Sequence, residues 1–164
     1  MDPILDRCSI RHFKDRKLTE EEIQALLRAG FSAPSARNLQ PWVFVVIEDS
    51  IKIQNLRSFS PYAGPLESAP LAILVCADQH VNPSLDYCQQ DCAAATENIL
   101  IQAKAMGLGS CWLGGYPNPE RIDKIREWID LPEWLMPLWV IAIGQPDEKE
   151  IIKNKWNDQK IIRL

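Results

Sequence analysis

Histidine is nearly absent: His12 and His80 are the only two in 164 residues. No Ser-His-Asp, H-E-x-x-H or P-loop arrangement is present. Ordinary acid–base machinery is therefore poorly supplied, and any reactivity of the chain points to a bound cofactor. The G-x-G-x-x-G fingerprint of dinucleotide-binding folds is missing as well. A metal centre lacks ligands, because Cys88 and Cys92 are four apart but both histidines lie far from them in sequence. No apolar run is long enough to span a bilayer. Residues 1–5 show no apolar stretch behind a positive start, so no secretory leader is expected. The five cysteines, odd in number and mostly in apolar segments, read as reduced thiols of a cytoplasmic protein. The net charge of −4 excludes a general basic surface for nucleic acid.

What the chain has is an ordinary globular composition, 46% hydrophobic and 24% charged. One domain over residues 1–164 is expected. Thr19 and Glu22 form a T-x-x-E capping box ahead of Ile23, Leu26 and Leu27, which predicts a helix over about 20–31. Four apolar stretches, 42–49, 70–78, 110–115 and 137–144, read as strands. Both faces of these strands are apolar, so helices are expected on both sides of the sheet. A helix of about 22 residues follows Pro83 and Ser84 and ends at Gly107. Its centre, "CAAATEN", is small on nearly every face, which favours a close helix contact. Another amphipathic helix spans 118–131, and a short helix and a loop fill 50–69. The tail from about 150 to 164 is charged and ends in Ile161, Ile162 and Leu164. It lacks a stripe wide enough to pack by itself and suits a strand added to another surface.

Three segments can carry chemistry. In "DRCSIRHF" (6–13) the side chains of Arg7, Ser9 and Arg11 converge on one anion if the segment is extended. Charge-assisted hydrogen bonds to a phosphate contribute roughly 1.5–3 kcal/mol each. The same residues also suit an exposed helix with solvated arginines, as charge runs usually are. In "APSARNLQPWVF" (33–44), Asn38 and Gln40 can border a flat ligand, or the segment is a plain helix-to-strand loop. In "GLGSCWLGGY" (107–116), Gly114 and Gly115 allow close backbone approach to a ligand, or form a simple turn.

Taken in order, "RCSIRHF", "APSARNLQPWVFVVI", "DCAAATENILIQAKAMGLGSCWLGG" and "IGQPDE" followed by basic residues resemble the nitroreductase family of FMN-dependent oxidoreductases. The resemblance runs from Asp6 to about Lys155. It implies an α+β fold of nitroreductase type, with a central mixed or antiparallel sheet flanked by helices, in an intertwined homodimer. It implies that Arg7, Ser9 and Arg11 grip the FMN phosphate and ribityl chain, with Cys8 contributing backbone contacts. Pro34, Ser35, Ala36 and Asn38 match the segment that reaches the flavin from the other subunit, with Gln40 close to it. Leu113, Gly114 and Gly115 match the turn that meets the isoalloxazine. Lys153 or Lys155 completes the phosphate site, with Lys155 preferred because it precedes Trp156. Trp112 and Trp139 are core candidates, while Trp42 is a candidate flavin neighbour.

By the same resemblance NADH or NADPH reduces the flavin, and a nitroaromatic, quinone or similar electrophile takes the electrons in a ping-pong cycle. No metal and no catalytic side chain is implied, because the flavin N5 carries the chemistry. Lys14, Arg16 and Lys17 are spare bases for a 2′-phosphate. Gly114 stands where many members carry Glu, and the chain lacks the helical excursion of longer members. A flavin carrier or sensor with little turnover, a dehalogenase or ring reductase, and an interaction domain without flavin are the competing readings.

Overall fold

The computed structural model describes residues 2–164. Four strands, β1 (Trp42–Ile47), β2 (Leu71–Asp78), β3 (Gly109–Gly114) and β4 (Leu135–Gly144), form one sheet in the order β1-β2-β4-β3. Every neighbouring pair is antiparallel. Four helices surround it: α1 (Glu20–Phe31), α2 (Ser50–Leu56), α3 (Leu85–Ala105) and α4 (Pro119–Trp128).

Alternation along β2 explains the layers. Leu71, Ile73, Val75 and Ala77 face a core shared with α1 and α3, while Ala72, Leu74 and Cys76 face a second core shared with α2 and α4. The Thr19 capping box is present, with the Thr19 hydroxyl accepting from Glu22 N–H and the Glu22 carboxylate accepting from Thr19 N–H. β1 stops at Ile47 rather than running to residue 49, because the Asp49 carboxylate caps α2 by accepting from Ile51 and Lys52 N–H. The small-residue centre of α3 turns Cys92, Ala95 and Thr96 to the sheet, where Thr96 Oγ1 accepts from Trp139 Nε1 at 2.8 Å. α1 meets α3 at Gly30, where a Cβ would lie 3.0 Å from Ile99.

The feature that positions the site is the segment before α1. Its residues 9–13 cross the end of the sheet beside β3 and the residues after β4. Ser9 bridges Ser110 in parallel, and Phe13 bridges Pro146 in antiparallel sense. Ile10 N–H donates to Ser110 O at 3.0 Å, Lys14 N–H to Gln145 O at 2.9 Å, and Asp147 N–H to His12 O at 2.9 Å. Ile10 and Phe13 are buried by this docking, so Ser9 and Arg11 are turned to solvent. Two glycines make room: a Cβ on Gly109 would lie 2.7 Å from the Ile10 Cβ, and one on Gly144 would lie 3.0 Å from the Phe13 Cβ. The Gly109→Ala variant is expected to lose about 1–3 kcal/mol of stability through this overpacking. Amide exchange at Ile10 should quicken more than at strand centres. A variant with native melting temperature and native Ile10 protection would contradict the account.

Candidate active site

The docked segment brings Arg7, Cys8, Ser9 and Arg11 to one wall of a cleft of about 250 Å³. The start of the C-terminal tail supplies the other wall, with Glu148, Lys149, Ile151, Lys153 and Lys155. Five cationic side chains and one carboxylate therefore surround a small volume in a chain whose net charge is negative. Two of these side chains have partners within the chain. Arg7 Nε stands 3.4 Å from Glu97 Oε1 on α3, with an Arg7 side chain that is mostly buried. Glu148 Oε1 accepts from the Arg11 N–H and, at 3.2 Å, from the His12 N–H. One oxygen of that carboxylate is thus held by backbone, and its charge offsets one of the five positive charges of the cleft. Lys104, buried on α3, pairs with Glu150 and pins the chain where the tail departs. Beyond that pin every residue from 151 to 164 is exposed and none is in a strand.

The glycine turn lies on the same edge of the sheet. Residues of an antiparallel ladder alternate between turning their backbone groups to the partner strand and turning them away. Gly115 N–H donates to Leu138 O at 3.0 Å. That sets the phase, so Leu113 and Cys111 face β4, while Ser110, Trp112 and Gly114 face the free edge. Two bonds agree with it: Ser110 O accepts from Ile10 N–H, and Gly114 O accepts from Arg121 Nη1 at 2.9 Å. The Gly114 N–H therefore points off the edge and meets no acceptor among the described residues, and a Cβ at this position would meet nothing within 4 Å. Gly115 has a different task. Its N–H is engaged by Leu138, and a Cβ there would lie 2.9 Å from the Leu138 carbonyl oxygen. Leu113 has its side chain in the core.

The segment 34–40 lies elsewhere. Arg37, Asn38 and Gln40 hold φ of 54°, 55° and 53°, three left-handed residues within four positions. Asp91 Oδ1 accepts from Ala36 N–H at 2.9 Å, Ser35 Oγ accepts from Gln40 N–H at 2.9 Å, and Asn38 Oδ1 accepts from Gln40 Nε2 at 3.0 Å. Asp91 is 7% exposed, and its Oδ2 has no partner among the described residues. Pro34 is exposed at the start of this loop. Ala36 borders a second hollow of about 490 Å³ with Leu39, Val81, Asn82, Ser84 and Tyr87, which shares no lining residue with the cationic cleft.

Within one chain, then, Arg7, Cys8, Ser9, Arg11, Lys153 and Lys155 come together, and Pro34, Ser35, Ala36, Asn38 and Gln40 do not join them. Of the spare bases, Arg16 is occupied: it grips both oxygens of Glu22, at 3.1 and 2.9 Å, and this hydrogen bonding holds the Glu22 carboxyl below the usual range. Trp42 is 4% exposed in the core, with its Nε1 unpartnered among the described residues, and lines neither hollow. Sequence reasoning missed Glu148, Asp91 and Arg121. Nothing local singles out Asp91 from the other two acids of α3, Asp86 and Glu97, and nothing local marks Arg121.

A sequence profile of the nitroreductase family matches residues 4–64 and 60–145. An Archaeoglobus fulgidus protein with the provisional name NADH dehydrogenase/NAD(P)H nitroreductase is 40% identical over 164 residues, covering 98% of this chain and 94% of that one. A crystal structure from Parabacteroides distasonis with the same provisional name superposes with a TM-score of 0.94 at 40% identity, covering 98% and 95% of the two chains. An FMN-dependent nitroreductase from Clostridium difficile superposes with a TM-score of 0.91 at 31% identity, covering 99% and 98%. The chain belongs to the nitroreductase family, a group of NAD(P)H-dependent oxidoreductases.

Thiol chemistry follows from burial. Cys8 is the one half-buried thiol; Cys76, Cys88, Cys92 and Cys111 are buried and free. Burial pushes Cys76 up to about 12 from 9.0 and raises Cys92 as well. A thiol reagent should therefore titrate one cysteine in the native protein and five after denaturation. Above about pH 9 the unfolded thiols lose protons that the native ones retain, so the unfolded state binds fewer protons and stability falls. Denaturant midpoints should decline from about pH 9 until Cys76 itself ionises near 12. A midpoint constant over that window would refute the assignment.

Proposed function

We propose that this chain binds FMN and transfers reducing equivalents from NADH or NADPH to nitroaromatics, quinones or similar conjugated electrophiles. The observation that carries the reading is the joining of Arg7, Ser9, Arg11, Lys153 and Lys155 around one cleft on the same sheet edge as the outward Gly114 N–H. Ser110, beside Ser9, and Gly114 are four residues apart on β3, which is roughly 13 Å at about 3.3 Å per residue. That reach suits a cofactor with a phosphate at one end and a flat ring with hydrogen-bond acceptors at the other. The family's FMN-dependent member from C. difficile supports the choice of group, and the name of the A. fulgidus relative supports the nicotinamide donor.

When bound, FMN supplies hydride uptake from the nicotinamide and electron release to the oxidant in two half-reactions. The chain's residues bind and orient. Arg7, Arg11 and the tail lysines neutralise the phosphate, with the planar arginine forks fixing its direction. Ser9 adds a hydroxyl donor. The Gly114 N–H, preset by the ladder, meets a ring acceptor without reorganisation.

The segment 34–40 serves a neighbouring subunit's cofactor, and Asp91 keeps its left-handed residues preorganised. The reading includes a homodimer in which the tail crosses to the partner. The tail's exposed Ile151, Ile152, Trp156, Ile162 and Leu164 support it, because so many apolar side chains beyond one pinned residue suit a covering surface. Five free thiols suit a reducing cytoplasm.

The Arg7→Glu/Arg11→Glu variant is expected to purify colourless, with FMN affinity weakened by more than about 100-fold, since two charge-assisted contacts of roughly 1.5–3 kcal/mol each are replaced by repulsion. Circular dichroism should remain native. Retention of FMN at wild-type affinity would sink the proposal. Chain ending at Glu150 should elute as a monomer in light-scattering chromatography; a dimer of unchanged affinity would remove the tail from the interface.

A further inference from the structure

We infer that Arg121 and Tyr62 form an anion-recognition wall beside the Gly114 turn, selecting planar aromatic oxidants that carry a carboxylate or sulfonate. The inference rests on the flavin reading above, because it takes the Gly114 edge as the place where the reacting ring lies.

Arg121 sits in the first turn of α4, behind the Asn118 cap whose Oδ1 accepts from the Arg121 N–H at 3.1 Å. Its Nη1 donates to Gly114 O at 2.9 Å, so the guanidinium stands off the free edge of β3, alongside the outward Gly114 N–H. One donor of the fork is engaged. The others meet no protein acceptor among the described residues, and Arg121 enters no ion pair there. By contrast Arg7, Arg16 and Arg57 each have a carboxylate. The guanidinium carbon lies 5.6 Å from the centre of the Tyr62 ring, and Tyr62 is 73% exposed.

An aromatic face, a half-buried cation with unused donors and an open glycine edge thus meet at one place. The ring of an oxidant gains a stacking partner from Tyr62. An anionic substituent gains a charge-assisted hydrogen bond from the fork. A neutral analogue of the same shape gains only the first. The engaged Nη1 holds the guanidinium in position, so little side-chain freedom is lost when the anion arrives.

The test compares 4-nitrobenzoate with 4-nitrobenzyl alcohol, which differ chiefly in charge, binding to FMN-loaded protein in a calorimeter. The wild type should favour the benzoate, and raising the salt should narrow the preference. The Arg121→Gln variant should shift the ratio of the two dissociation constants by about tenfold against the benzoate, and Arg121→Lys should restore part of it. KM values for the two oxidants should follow the same ratio. The inference is overturned if the wild type shows no preference that salt can narrow, if Arg121→Gln weakens both compounds equally, or if it raises only the KM for the nicotinamide. A wild-type protein that binds no FMN would instead defeat the underlying reading, an outcome visible in the absorption spectrum before either compound is added.

Discussion

The free edge of β3 is the constraint on which the structure depends. An edge strand presents unpaired donors and acceptors that require a partner. Here the edge is divided. Its Ser110 end is covered by the segment around Ser9 and Ile10, which therefore has a fixed position rather than the freedom usual near a chain start. Its Gly114 end keeps a bare N–H and gives its carbonyl to Arg121. One ladder phase, set where Gly115 meets Leu138, decides both ends together, because shifting it by one residue would turn every outward group inward. The cationic cleft and the glycine turn are consequences of a single register.

Much of this was legible in the amino-acid order. The apolar runs at 42–49, 70–78, 110–115 and 137–144 anticipated four strands within about two residues at each end. Their two-faced apolarity anticipated cores on both sides of the sheet. Short-range chemistry, such as Thr19 with Glu22, was read correctly because both partners lie within one helical turn. Arg7, Ser9 and Arg11 do line one cleft, but Cys8 between them lines it too, so alternation alone does not account for the grouping; Ser110, Gly109 and Gly144, which meet residues 9, 10 and 13, lie about a hundred or more positions away.

What escaped the reading depends on distance in sequence. Glu148 meets the Arg11 and His12 N–H groups across the sheet end, Asp91 holds Ala36 across 55 positions, and Arg121 reaches back to Gly114 from the next helix. Composition carries no mark of such pairs, since each acid or base looks like one more solvated charge. Arg16 is the converse case: it looked like a spare cation, and Glu22 six residues on takes both of its terminal nitrogens. Nothing in the local sequence marks Gly109 and Gly144, although a Cβ on the first would meet Ile10 and one on the second would meet Pro70 and Phe13.

The pin between Lys104 and Glu150 divides the last part of the chain into a fixed stem and a free ribbon. Lys153 and Lys155 belong to the ribbon, yet they line the cleft with the arginines of the stem-bound segment. Two of the five positive charges around that cleft are thus carried on a stretch that is exposed throughout and packs into neither core. Any force that draws the ribbon aside takes two of the five charges with it and leaves Arg7, Arg11 and Lys149, so grip on an anion and the path of the last dozen residues are mechanically coupled.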